Sequence, residues 1–207
     1  MGIGNKVSAS TLTIEFNGYI SYAGSFLDPT GFFNQGDSLN GFWELETTTT
    51  DSNALTTRGY YTQSGSPAFQ INIGSYAFES DSIGIQILDN HSMMGSLWDT
   101  YDVLANGETS NITGLIDLNM QITLRDLTHD VFNSDALPSI APNPSDFDQS
   151  GQVQGQIHGE YNNQSLFMNL VITDTRAINP NSPVPEPATM MLFGIGLLGL
   201  AGVNRRK

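Results

Sequence analysis

The sequence predicts an all-β, antiparallel fold. Apolar and polar residues alternate with a period of two in several segments of the 207-residue chain, as in strands that bury one face. No segment before residue 179 gives three turns of helical periodicity. Alternation alone leaves closed barrel and open sandwich undecided, and uneven strand lengths with long loops favour the sandwich. We therefore expect an antiparallel β-sandwich with a single C-terminal hydrophobic helix.

Eight strands are predicted, at the spacing expected of a sandwich or barrel. The clearest alternation lies in 11–22, 114–124 and 152–161. Asn162-Asn163-Gln164 provides a turn from the last of these into 166–173, which predicts a hairpin. The weaker strands are 41–49, 69–79, 83–87 and 97–104.

The alternation also predicts which side chains face the core. In the first strand these include Tyr22, and in the strand 114–124 they include Ile116. Gly74 interrupts the alternation of 69–79, which indicates a β-bulge. The remaining predicted inward residues are Leu12, Ile14, Phe16, Ile20, Trp43, Leu45, Leu118, Met120, Ile122 and Leu124. Loops are predicted at 24–40, 50–67 and 138–151.

Composition excludes several classes of protein. The chain holds 21 acidic and 7 basic residues, for a net charge of −14, and it has no cysteine. Disulfide scaffolds, thiolate metal sites and cysteine nucleophiles are therefore excluded. A nucleic-acid binder is also disfavoured, because such proteins need clustered Lys and Arg to displace phosphate counterions.

The chain divides into four parts. Residues 1–9 are a candidate remnant of a leader, 10–178 form the β domain, 179–184 are a Pro-rich linker, and 185–207 form a tail that differs in character from the rest. The tail contains an unbroken apolar run, 190–203. That run reaches about 21 Å as a helix, against a hydrocarbon core of about 30 Å, and snorkelling basic side chains close much of the gap. A membrane helix is favoured over a buried helix, which would show polar positions.

The tail resembles the PEP-CTERM sorting signal of Gram-negative bacteria, a signal also filed as an ice-binding protein C-terminal domain. The resemblance rests on Pro185, Glu186 and Pro187, then the short apolar helix, then the basic end Arg205-Arg206-Lys207. It implies that exosortase recognises the Pro-Glu-Pro tripeptide. It also implies that the helix holds the protein transiently in the inner membrane. The basic end would remain in the cytoplasm, as the positive-inside rule independently predicts.

Residues 1–10 do not show the pattern of the leader that export requires. Residues 1–10 contain no apolar run of the needed length, although Val7-Ser8-Ala9 looks like the end of a cleavage site. We expect a start codon assigned too late, and the rival interpretation is a cytoplasmic chain. In the β domain, segments 36–42, 69–74 and 132–138 resemble a recurring domain of uncharacterised PEP-CTERM proteins, which implies no activity.

Two motifs invite a catalytic or metal-binding interpretation. Ser38 lies in a Gly-Asp-Ser-Leu block, and Asp126 with His129 fits the acid and base of GDSL-type esterases, but the α/β context is missing. Asp146, Asp148 and Ser150 copy the first half of a calcium loop, whose bidentate glutamate is replaced by Ile157. An esterase is disfavoured, and calcium is a weak candidate cofactor.

The histidines and aromatic residues give weaker signals. His91, His129 and His158 are too dispersed for metal-ligand spacing, and His158 is expected on a solvated face. Aromatic residues that could form a sugar-stacking platform more often fill a β core. These aromatic residues are Trp43, Tyr60, Tyr61 and Trp98.

These observations together predict a non-enzymatic, exported protein that needs no cofactor. We expect a structural or adhesive role at the cell surface or in the extracellular matrix, among exopolysaccharides. The partners expected are exosortase, transiently the inner membrane and, less directly, exopolysaccharide. The alternative is a carbohydrate- or calcium-binding module, and the third hypothesis is an esterase.

Overall fold

A computed structural model of the chain describes residues 11–23, 30–93, 96–149 and 154–178. The described residues form eight strands and one short 3-10 helix, Pro144–Asp146. The strands are β1 Thr11–Ala23, β2 Ser38–Glu46, β3 Arg58–Ile73, β4 Tyr76–Met93, β5 Ser96–Ser110, β6 Leu115–Asp126, β7 Gly155–Tyr161 and β8 Gln164–Ile178.

The strands form a closed, antiparallel barrel, so the predicted sandwich is wrong. Each strand pairs with its neighbours in sequence, and β8 returns to pair with β1 from Thr13 opposite Ile178 to Ala23 opposite Met168. Register shifts interrupt four of the pairs, including β3 with β4 and β4 with β5. Such irregularities increase local twist and bend a sheet, which helps it to close. The predicted C-terminal helix lies outside the described residues.

The predicted number of strands is confirmed, and most predicted core residues are buried. Two exceptions lie beside register shifts. Tyr22 is 46% exposed next to the shift between Ile20 and Tyr22, and Ile116 is 56% exposed next to the shift between Ile116 and Asn119. A one-residue slip reverses the face on which a side chain lies, so strict alternation fails at these points.

Two turns show how local sequence sets a connection. Asn162 and Asn163 have φ of 51° and 60° and join β7 to β8, which confirms the predicted hairpin. This geometry suits a two-residue turn with both central residues at positive φ.

Gly74, with φ of 60°, lies in the turn between β3 and β4, so the predicted bulge there is wrong. The predicted loop 50–67 is wrong beyond residue 57, because β3 begins at Arg58.

The strand directions define two ends of the barrel. The tail end carries the start of β1 and the end of β8, where Thr13 pairs with Ile178. The distal end carries the β3–β4 turn at Gly74 and the β7–β8 turn at Asn162-Asn163. The chain therefore leaves the described barrel from the tail end.

Side chains fill the barrel interior. Phe16 packs at ring-centroid distances of 5.6 Å from Trp43 and 6.3 Å from Phe69, and all three are buried. The Trp43 indole Nε1 donates a buried hydrogen bond of 3.1 Å to the hydroxyl of Tyr101. Gly41, the register partner of Phe16, makes room for this packing, because a Cβ there would overlap the Phe16 ring and the Gln70 carbonyl. Aliphatic and aromatic side chains occupy the space that larger barrels leave for a ligand.

Two buried carboxylates hold the loops at the tail end. Asp99 and Asp126 are register partners on β5 and β6, and both are fully buried. Asp99 accepts hydrogen bonds from the backbone N–H groups of Asn90 and Phe132, at 2.7 and 2.8 Å. Asp126 accepts from the backbone N–H groups of Thr128 and Asp130, at 3.1 and 3.0 Å, and from the Thr128 hydroxyl at 2.7 Å. Both carboxylates accept hydrogen bonds from these loops, so the pair orders the connections at the tail end of the barrel.

We predict that Tyr101→Phe destabilises the protein by about 1–3 kcal/mol, because the buried indole N–H of Trp43 loses its acceptor. Equilibrium urea denaturation followed by circular dichroism measures this change. Tyr22→Phe removes the same hydroxyl from an exposed side chain and should shift the free energy of unfolding by less than about 0.5 kcal/mol. Equal effects of the two substitutions would contradict the assigned role of the hydrogen bond.

We also predict that Asp126 makes stability depend on acid pH. Burial alone would raise the pKa of Asp126, but hydrogen bonds from Asp130 and Thr128 outweigh it and lower that pKa below the ordinary 3.8. The ionised form therefore stabilises the fold above about pH 4, and this contribution is lost as pH falls through the lowered pKa. The substitution Asp126→Asn should lower the free energy of unfolding by about 1–3 kcal/mol at pH 7.

Urea denaturation between pH 2 and pH 7 tests this expectation. The difference between the native chain and Asp126→Asn should shrink as the pH falls. Asp81→Asn, at an exposed position of β4, is the matched control and should follow the native chain throughout. A constant difference between Asp126→Asn and the native chain across the range would refute the hydrogen-bonded carboxylate as its cause.

Candidate functional site

A polar groove crosses the outer wall of the barrel between β6 and β7. Because the interior is packed, a binding site must use the outer wall or the ends. The groove has a volume of about 240 Å³. Amide, hydroxyl and guanidinium groups line it, and no carboxylate does. We call it the glutamine groove, and its side chains come from Gln121, Thr123, Arg125, Gln149, Gln154 and Gln156.

Gln154 forms the buried floor of this groove and bridges two strands where β7 begins. Its backbone N–H donates to the carbonyl of Leu170 at 2.8 Å, and its carbonyl accepts from the N–H of Thr123 at 2.7 Å. Its side-chain Oε1 accepts from the backbone N–H of Ile172 at 3.1 Å. The side chain thus continues the strand pairing beyond β7, which fixes its orientation beneath the groove.

A row of amides runs from the groove across three strands. Gln121 Nε2 on β6 donates to Gln156 Oε1 on β7 at 3.0 Å, and Gln156 Nε2 donates to Asn169 Oδ1 on β8 at 3.3 Å. His158 Nε2 lies 3.3 Å from the same Gln156 oxygen. Each amide is held by its neighbours, so the row presents donors and acceptors in a fixed arrangement.

The half of the outer wall nearer the tail end holds four buried polar atoms that have no hydrogen-bond partner among the described residues. They are Arg58 Nε, Thr100 Oγ1, Arg125 Nε and Gln154 Nε2. The strand register places Thr100 directly opposite Arg125, and Leu88 opposite both Arg58 and Thr100, so three of the four share one row. Buried polar groups are almost always paired, so this concentration marks a wall with unused hydrogen-bonding capacity.

Charged groups border the groove on the side of β5. The Arg125 guanidinium lies 4.4 Å from the centroid of the Trp98 ring, a cation–π contact that holds both side chains. Burial raises the pKa of Asp102 to about 6, although Thr123, Arg125 and Arg58 act to lower it. The protonated carboxyl is therefore favoured by folding, and Asp102 lowers the stability increasingly as the pH rises from about 3.8 to about 6.

The structure separates the esterase candidates. Ser38 begins β2 and pairs with Tyr19 near the distal end of the barrel. Asp126 ends β6 at the tail end, where its carboxylate binds Thr128 and Asp130, and His129 follows in the connecting loop. A serine at one end and a histidine at the other cannot exchange a proton, so these three residues do not form a triad.

The two described calcium candidates lie on either side of a buried aromatic residue. Phe147 is buried and packs against Phe132, whereas Asp146, the last residue of the 3-10 helix, and Asp148, which follows Phe147, are both exposed. Asp146 Oδ1 accepts a hydrogen bond of 3.1 Å from the Asn143 side chain. Within the described ranges no group of three or more His, Cys, Asp or Glu side chains is placed to hold a metal ion. Ser150 lies outside them.

The predicted aromatic and histidine residues divide between core and wall. Trp43 and Tyr61 are buried in the core, which confirms the favoured expectation for these two aromatic residues. Trp98 lies on the outer wall against Arg125. His158 is half-buried rather than fully solvated, with its ring 4.5 Å from that of Phe167, and burial lowers its pKa. The three histidines stay dispersed, and His91 lies on β4.

The glutamine groove is not predicted by the sequence. Gln121 and Gln156 alternate with the apolar residues of their strands, which predicts polar faces for them, and the structure places both side chains on the outer wall. Nothing in the alternation shows that β6 and β7 lie side by side in this register, nor that Gln154 is buried. The number of Gln and Asn residues on two consecutive polar faces was the available signal.

The predicted sorting residues, Pro185 to Pro187 and Arg205 to Lys207, lie outside the described residues, as do the linker and the apolar run. Within the described part of the chain, no helix is long and apolar enough to cross a membrane.

Comparison with known proteins identifies the tail. Residues 183–207 match the family model of the PEP-CTERM protein-sorting motif. Comparisons with curated proteins and with solved structures gave no match. The resemblance of the β domain to a recurring domain therefore stays a prediction. The motif implies export to the cell envelope or surface through a transient membrane anchor, with exosortase as the partner that recognises it. The chain therefore carries a PEP-CTERM protein-sorting motif, which follows the residues that form the eight-stranded barrel.

Proposed function

We propose that this protein is a non-enzymatic structural or adhesive component of the cell surface or exopolysaccharide matrix of a Gram-negative bacterium. The observation that carries the proposal is the sorting motif at 183–207, since it gives the barrel a route out of the cell. Exosortase would act at Pro185-Glu186-Pro187, and Arg205 to Lys207 would hold the end of the tail on the cytoplasmic side.

The architecture of the barrel supports this role. The interior is filled by side chains, so the barrel is a rigid body rather than a carrier of an enclosed ligand. All 21 acidic residues but only four of the seven basic residues lie before residue 188, which keeps the body soluble and disfavours nucleic acid. A rigid, acidic and polar-walled domain suits a matrix component.

The place where the chain leaves the barrel suggests an orientation. β8 ends with Ile178 at the tail end, and six linker residues, 179–184, precede the Pro-Glu-Pro tripeptide. A fully extended segment of that length spans at most about 21 Å. During the anchored stage the tail end would therefore face the membrane, and the distal end and outer wall would face outwards.

A carbohydrate-binding module is the second candidate, and the glutamine groove favours it. Its amide lining and unpartnered donors fit a hydroxyl-rich ligand. For calcium, the remaining support is the acidic pair Asp146 and Asp148. An esterase gains no support, because Ser38 lies far along the barrel from Asp126 and His129.

We predict that Glu186→Ala blocks sorting. The chain, tagged within the β domain and expressed from its full reading frame in its own host, should be processed near Pro187 and recovered from the surface or matrix fraction. Glu186→Ala should instead stay in the inner membrane with Lys207 attached, because exosortase no longer recognises the tripeptide. Cell fractionation with mass spectrometry of the C-terminus measures both.

Glu108→Ala, in the β domain, is the matched control and should be sorted like the native chain. Recovery of the native chain from the cytosol with its tail intact would refute export. Correct sorting of the native chain combined with a matrix of unchanged mass and cohesion after gene deletion would refute the structural role alone.

A further inference from the structure

We propose that the glutamine groove binds a sugar unit of a neutral, hydroxyl-rich glycan. This inference deepens the proposed function by naming a ligand class. It rests on that function only for the place at which the protein meets such glycans. Binding itself depends on the barrel wall and is testable on the isolated protein.

The lining of the groove selects the chemistry of the ligand. Side-chain amides both donate and accept hydrogen bonds, as sugar hydroxyls do, and four glutamines face this space. The groove lacks the mainly apolar lining that is usual for drug-like or lipid ligands. Its volume of about 240 Å³ lies below the usual range for such pockets and accommodates a single sugar ring.

Two donors at the groove have no acceptor, and a ligand could supply one. Gln154 is 1% exposed, its Oε1 accepts from the N–H of Ile172, and its Nε2 has no hydrogen-bond partner within the described part of the chain. Arg125 Nε is also buried and also has no hydrogen-bond partner within the described part of the chain. A buried donor without an acceptor costs free energy, and a ligand hydroxyl or ring oxygen that reaches it recovers that cost.

The groove is ordered before any ligand arrives. Gln121, Gln156 and Asn169 are linked by hydrogen bonds, and Arg125 is stacked on Trp98. These side chains have little rotamer freedom left to lose on binding. An arrangement fixed in this way favours a ligand of defined geometry over loosely bound solvent.

Electrostatics favour a neutral ligand over an acidic one. The strongly acidic body repels polyanions, and the Asp102 carboxyl lies within electrostatic reach of Arg125. Uronic acid polymers and nucleic acids therefore gain little binding free energy from electrostatic attraction at this wall. A divalent cation is equally disfavoured, because no carboxylate lines the groove.

Tryptophan fluorescence offers a direct test on the full chain. The chain has two tryptophans, and Trp43 is buried in the core, so Trp98 reports on the wall. The full chain would be purified in a polyoxyethylene detergent, since alkyl glycosides would compete. It would be titrated with neutral gluco-, manno- and galacto-oligosaccharides and, as the acidic probe, with oligogalacturonate. Saturation-transfer NMR on the same samples provides a readout independent of Trp98.

We expect a saturable response to at least one neutral probe and none to oligogalacturonate. Gln121→Ala and Gln156→Ala should each weaken binding by up to about tenfold, as expected for one lost hydrogen bond. Gln70→Ala, which removes another hydrogen-bonded amide on β3, is the matched control and should bind within about twofold of the native chain. Circular dichroism would confirm that each variant is folded.

Three results would overturn the inference. They are no binding to any neutral probe, stronger binding of oligogalacturonate, and binding that folded Gln121→Ala and Gln156→Ala variants leave unchanged. None of these bears on sorting, because the tail is intact in every variant. Conversely, a failure of export in the host would leave the measured affinity for glycans unaltered, so the two proposals fail separately.

Discussion

The pairing of β8 with β1 determines the rest of this structure. Residues more than 150 positions apart become partners in the strand register, as Thr13 and Ile178 do. Closure gives every strand two partners, which removes the open edges that invite unwanted pairing. It also divides the side chains of each strand into an inner set, which must be apolar and close-packed, and an outer set that meets water.

The inner set leaves little freedom for function. Trp43, Phe16, Phe69 and Tyr101 fill the interior, and their fit relies on the missing side chain of Gly41. Function is therefore left to the outer wall, the ends and the tail. On the wall, four buried polar atoms without described partners lie in the half nearer the tail end, and two of them, on Arg125 and Gln154, belong to the lining of the glutamine groove.

The tail and the barrel determine different properties of the protein. The sorting motif gives a destination through chemistry that is local in sequence, and it places no demand on the fold that precedes it. The barrel supplies rigidity, and Asp99 with Asp126 orders the loops at the end from which the tail departs. Transport and surface chemistry thus occupy separate regions, so either could change without disturbing the other.

The sequence by itself determined what depends on neighbouring residues. Period-two alternation predicted the strands, Asn162-Asn163 predicted a hairpin, and the order of Pro185, Glu186 and Pro187 before an apolar run predicted the sorting motif. Only the tertiary structure decided barrel over sandwich, exposed Tyr22, made Gly74 a turn and brought Gln121 beside Gln156. These features depend on which strands pair and in which register, and that choice is made by contacts between residues distant in the chain.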